Sequence, residues 1–108
     1  MVTKKNIQID LKIYLKKVKA VIPLEKAYLV GSYANGSANK ESDVDLLLLS
    51  KSFSKMEMDE RLKLLYRKTV GLDFDLHIQA VTPEEYRGAS RLIALGVMRE
   101  GKKILLKT

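Results

Sequence analysis

Three features of this 108-residue sequence predict an α/β (α+β) protein, a mixed three- to four-stranded sheet with helices mainly on one face. Runs of strand length, apolar in Tyr28-Leu29-Val30 and Leu46 to Leu49 and alternating in Leu72 to Ala80, are interleaved with segments of helical spacing. Leu46-Leu47-Leu48-Leu49 is apolar at successive positions, which on a strand means cover on both faces. Two signatures of a capping box, Ser54-Lys55-Met56-Glu57 and Thr82-Pro83-Glu84-Glu85, mark helix starts after the second and third runs. The length predicts a single domain over residues 1–108, with a modest core.

Residues 5–22 read as an amphipathic helix. Ile7, Leu11, Tyr14 or Leu15, Val18 and Val21 or Ile22 recur at spacings of three and four, while Lys12, Lys16, Lys17 and Lys19 fall elsewhere around it. Pro23 stops it. The first strand covers residues 26–30 and the second about 43–49. Ser50 to Ser54 is a polar connection. The helix opened at Ser54 has Met58, Leu62 and Leu65 on one face and ends near Gly71. Leu72 to Ala80 is the third strand, with Asp73, Asp75 and His77 on one face and Phe74, Leu76 and Ile78 on the other. After Thr82, Pro83 suits the first helical position. That helix runs on, with an interruption at Gly88, through Leu92, Leu95 and Met98 towards Gly101, a C′ terminator. Lys103 to Leu106 adds a short last strand.

Composition narrows the function. With no cysteine there is no disulfide framework, thiolate nucleophile or zinc–cysteine site, which fits a cytoplasmic protein. No apolar run approaches the roughly 20 residues of a membrane span, and Met1 to Lys5 leads into no apolar signal-peptide core. The net charge of +7, from 20 basic and 13 acidic side chains, suits nucleic acid or an acidic partner. Its spread over both ends and the scarcity of base-stacking aromatics favour a solvated lysine-rich surface over a nucleic-acid interface.

The chemistry concentrates between Gly31 and Asp45, GSYANGSANKESDVD. Gly31 ends a strand where a side chain would obstruct, and tolerates either sign of φ. Ser32 is a good N-cap for the short segment Tyr33-Ala34-Asn35, and the free N–H groups of a helix start suit a phosphate. Asp43 and Asp45, two apart, share one face of a strand. Two carboxylates on a Leu/Val strand are costly without a partner. A hard divalent cation such as Mg²⁺ supplies one, and it commonly joins carboxylates to substrate phosphates.

Gly31-Ser32, ten residues, then Asp43-Val44-Asp45 resembles the signature of the DNA polymerase β superfamily of nucleotidyltransferases. From Tyr28 to Leu106 the chain is similar to its minimal members. The resemblance implies the nucleotidyltransferase fold and a third carboxylate from a neighbouring strand, matched by Asp75 in Phe74-Asp75-Leu76, with Asp73 as the rival. Val81 to Tyr86 is similar to the family's strand-to-helix junction. Asn35 stands where many relatives carry Arg, which leaves one phosphate contact unmatched. His77, the only histidine, reads as a base, a metal ligand or a polar neighbour at the rim.

The implied reaction moves a nucleoside monophosphate, AMP from ATP, to a hydroxyl with release of pyrophosphate. Asp43, Asp45 and Asp75 would hold Mg²⁺ or Mn²⁺, and Gly31 and Ser32 would cradle the β and γ phosphates. Minimal members of the family often pair with a small helical HEPN-type protein, in some cases a toxin that they neutralise by adding AMP to a tyrosine. The resemblance therefore implies a protein adenylyltransferase of a toxin–antitoxin system. Two alternatives stand beside it: a binding module that blocks a toxin by contact, and transfer to an RNA or small-molecule hydroxyl.

Overall fold

The computed structural model describes residues 4–31, 44–72, 74–87 and 104–106. Its elements are α1 (Lys4–Lys19), β1 (Lys26–Val30), β2 (Val44–Leu49), a 3₁₀ turn (Lys51–Lys55), α2 (Met58–Arg67), β3 (Leu76–Val81), α3 (Pro83–Arg87) and β4 (Ile104–Leu105). The four strands form one sheet in the order β3-β2-β1-β4. β1 runs antiparallel to β2 and β4, and β2 runs parallel to β3. This is the mixed sheet expected from the sequence, and Ile104–Leu105 supplies its fourth strand.

Alternation divides the sheet into two faces. Ala27 and Leu29 of β1, Val44, Leu46 and Leu48 of β2, and Leu76, Ile78 and Ala80 of β3 join Ile7, Leu11, Tyr14, Leu15, Val18 and Leu65 in the main core. The helices α1 and α2 therefore cover that face. Burying such side chains is the principal favourable term in holding these layers together, roughly 1.5–3 kcal/mol for each large aliphatic. The hydroxyl of Tyr14 donates to the Leu65 carbonyl at 2.8 Å, tying α1 to α2 inside this layer. Burial pushes the Tyr14 phenol above its ordinary range. Val30, Leu47, Leu49 and Val81 are buried on the other face beside Tyr28 and Tyr86, so β2 is covered on both sides, as its unbroken leucine run requires.

Several elements depart from the expected ones. α1 ends at Lys19, and a turn carries the chain to Ile22, whose N–H still bonds to the Val18 carbonyl at 2.9 Å. Ile22 enters the core while Val21 stays exposed. Ser54 caps no α-helix. It lies in the 3₁₀ turn, which is capped by Ser50, whose hydroxyl accepts from the Ser52 N–H and donates to the Pro23 carbonyl. That turn seats Phe53 fully in the core, and the helix begins only at Met58. Its capping box is Glu57 with Glu60, three residues later than Ser54 and Glu57.

Of the expected α2 face, Leu65 is buried and Leu62 packs against the core, but Met58 is exposed and Arg61 is buried instead. The Arg61 guanidinium reaches across to Glu85 at 2.8 Å and also donates to the Ala80 and Met56 carbonyls. It lies 5.6 Å from the Phe53 ring centre. A charge buried with that many partners is tolerated where a lone one is not. α2 ends at Arg67, and the turn after it reaches Gly71 with φ of +96°. β3 begins at Leu76, four residues later than expected, because a bend at Phe74 precedes it. The box at Thr82 is present: Glu85 accepts from the Thr82 N–H at 2.8 Å, and the Glu85 N–H donates to the Thr82 hydroxyl at 3.0 Å. The helix segment expected through Gly88 to Gly101 lies outside the described residues.

Candidate active site

The strand register brings two distant parts of the sequence to one edge. Val30, the last residue of β1, pairs with Asp45, the second residue of β2. The turn after β1 therefore lies against the Asp45 side chain. Gly31 adopts φ of +74°, the left-handed region that side chains disfavour. A Cβ placed on Gly31 would overlap Asp45 Oδ2 and sit 3.0 Å from its Cγ. Glycine is thus required twice, by the backbone and by the carboxylate that occupies the space.

The parallel register of β2 with β3 aligns Asp45 with His77. His77 Nδ1 lies 3.1 Å from Asp45 Oδ1. An ionised carboxylate only accepts, so the ring N–H at Nδ1 donates. Asp45 shares its sheet face with Leu47 and Leu49, facing away from α1 and α2. Its side chain is 29% exposed, open enough to be reached.

Asp75 is exposed and stands one residue ahead of β3. Its carbonyl accepts from the Val44 N–H at 3.1 Å, which carries the parallel ladder one step past the strand end. Asp43, Ser32 and Asp73 lie outside the described residues. The structure therefore unites Gly31, Asp45 and His77, with Asp75 at the adjoining strand start. The His77–Asp45 contact is not legible in the sequence, because nothing local fixes the register between two strands whose paired residues lie 32 apart.

The donor chemistry suits a hard cation: carboxylate oxygens are what Mg²⁺ and Mn²⁺ take. Among the described residues no three His, Cys, Asp or Glu side chains cluster to hold a metal. A surface cavity lined by Lys51, Ser54, Thr82, Pro83, Glu84 and Arg87 lies beyond the C-terminal ends of β2 and β3, the opposite end from Asp45. Arg61 holds the Glu85 carboxyl below the usual carboxylate range through a side-chain hydrogen bond, helped by the Thr82 N–H. That pair fastens α2 to the β3–α3 junction and belongs to the scaffold. No helix among the described residues is long and apolar enough to cross a membrane.

Comparison with known proteins points the same way. A family model described as a nucleotidyltransferase domain matches residues 11–95. Among solved structures, a Sulfolobus solfataricus protein assigned as a nucleotidyltransferase superimposes with a TM-score of 0.70 at 21% identity, over 94% of this chain and 80% of that one. A toxin–antitoxin solved with AMP-PNP gives 0.63 at 22% identity, over 89% of this chain and 72% of that one. A further protein assigned as a nucleotidyltransferase gives 0.55 at 21% identity, over 91% and 95%. These structural likenesses speak for the fold. No curated protein sequence gives a significant match.

Proposed function

The chain belongs to the nucleotidyltransferase domain family, and on that footing we propose that it is a metal-dependent protein adenylyltransferase, moving AMP from ATP to a hydroxyl on a small helical partner of HEPN type. In this reading the partner is a toxin and the chain its neutralising antitoxin. The observation that carries the catalytic part is the fit of Gly31 over the Asp45 carboxylate, because it joins the two halves of the Gly-Ser and Asp-x-Asp motif at one point. The partner part is supported by the likeness of fold to a toxin–antitoxin solved with AMP-PNP.

Asp45, together with Asp43 and Asp75, would hold Mg²⁺ or Mn²⁺. When bound, such ions neutralise charge on the triphosphate and on the entering and leaving oxygens. The remaining work falls to groups of the chain. Gly31, lacking a Cβ, lets the turn approach Asp45, and its backbone with Ser32 would bind the β and γ phosphates. His77 steadies Asp45 through the Nδ1–Oδ1 hydrogen bond. The acceptor oxygen forms a bond to the α phosphorus as the bond to pyrophosphate breaks. Asp75, exposed at the strand start, would take the acceptor's proton.

The deciding experiment mixes the chain with its helical partner, ATP and Mg²⁺ and measures the partner's intact mass beside its toxic activity. The expected result is a gain of whole AMP units on a hydroxyl side chain, most simply tyrosine, that survives removal of this protein. Asp43→Asn should abolish the gain while still forming the complex. Full neutralisation by that variant without ATP would replace the enzyme with a binding module. Transfer to RNA or to a small hydroxyl compound in place of the partner would change the acceptor alone.

A further inference from the structure

The outward face of α1 carries a pattern that the core does not explain. Ile7, Leu11, Tyr14, Leu15 and Val18 form its buried side. At about 100° per residue, Ile9 falls opposite the middle of that side and Ile13 about 40° from Ile9. Both isoleucines are 53% exposed, at positions where a surface helix ordinarily presents polar side chains. Val21, in the turn past the helix end, is also exposed. Val70, 78% exposed in the turn after α2, is joined to this side by Lys17, whose Nζ is 3.5 Å from the Val70 carbonyl. Lys12, Lys16, Lys17 and Lys19, all exposed, line the stripe, and Asp10 is the sole acidic residue of α1.

We propose that this face docks an amphipathic helix of a partner protein, its apolar stripe laid on Ile9 and Ile13 and its flanks acidic. Charge complementarity selects that occupant. A second copy of α1 in the same seat would set lysines against lysines, a repulsion that opposes self-association. A nucleic acid would gain nothing from the central isoleucines and would find no aromatic ring beside them on the outward side of α1 among the described residues. An anionic bilayer satisfies the lysines, but this stripe is narrow and has none of the Trp or Phe that seat an interfacial helix. α1 covers the sheet face opposite to Asp45, so docking here leaves the carboxylate open. The inference stands whether or not the nucleotidyl transfer proposed above occurs.

The test needs neither ATP nor metal. The probe is a fluorescein-labelled synthetic helix with leucine at every third and fourth position and glutamate elsewhere, followed by anisotropy. Its controls are a lysine-for-glutamate analogue and vesicles of mixed phosphatidylserine and phosphatidylcholine. The glutamate helix should bind, with affinity falling as salt rises. The double variants Ile9→Gln/Ile13→Gln and Lys12→Glu/Lys16→Glu should each weaken binding about tenfold or more, with unchanged circular dichroism. Met58→Gln, an exposed apolar position on α2, should leave it intact. Equal binding by the Ile9/Ile13 variant, or equal binding of the lysine helix, overturns the proposal. So does failure of the glutamate helix to bind while vesicle binding or self-association depends on the two isoleucines.

Discussion

The Asp45 carboxylate occupies the space where a side chain at Gly31 would stand. Gly71 offers a natural control, since it also has positive φ, at +96°, but a Cβ there would meet nothing within 4 Å. Gly71→Ala should therefore cost only the backbone term, about 1 kcal/mol. Gly31→Ala should cost more and should also displace Asp45, weakening metal-dependent ATP binding. Urea unfolding and calorimetry of the two variants check this. Equal effects at both positions would mean that Asp45 does not fill that space.

The metal assignment makes a separate demand. Asp43→Asn and Asp45→Asn should each weaken the coupling between Mg²⁺ and ATP, because a neutral amide is a poor ligand for a hard cation. Calorimetric titration of ATP with and without Mg²⁺ measures it. Coupling as strong in both variants as in the native chain would remove these residues from the site.

Asp75 and Asp73 compete for the third carboxylate. Asp75→Asn should abolish transfer while nucleotide binding persists, since Asp75 is assigned to the acceptor side. Asp73→Asn should do much less. Single-turnover transfer assays decide, and an active Asp75→Asn beside an inactive Asp73→Asn would exchange their roles.

The Arg61–Glu85 pair should shape acid stability. Its hydrogen bond to Arg61 keeps Glu85 ionised below the usual carboxylate range. A depressed folded value stabilises the fold above the unfolded glutamate pKa, and the contribution disappears as pH falls through the folded value. Unfolding midpoints measured from neutral pH into that acid range should fall more steeply for the native chain than for Glu85→Gln. Because Glu85 is 41% exposed, solvent screens much of the effect. Arg61→Ala should be worse at every pH, by about 2–3 kcal/mol, since it also strands the Ala80 carbonyl. Matching acid profiles for the native chain and Glu85→Gln would show that ionisation of Glu85 contributes nothing to folding.

The family and the main elements were legible in the sequence because they are written locally. The spacing from Gly31-Ser32 to Asp43-Val44-Asp45 needs no folding to be read, and neither do the unbroken Leu46–Leu49 run, the period of Ile7 to Val18 or the Thr82–Glu85 box. What failed was local signal overruled by packing. The Ser54 box lost to a 3₁₀ turn because Phe53 had to reach the core, and Met58 lost its inward place to Arg61 because Glu85 waits across the junction. Register was hidden altogether. That Val30 meets Asp45, and Asp45 meets His77, depends on ladders between strands far apart in the chain, and those are set by which faces the whole core buries. The residues were named by the sequence alone, whereas the reason Gly31 admits no side chain, and the partner Asp45 finds in His77, belong to the tertiary structure.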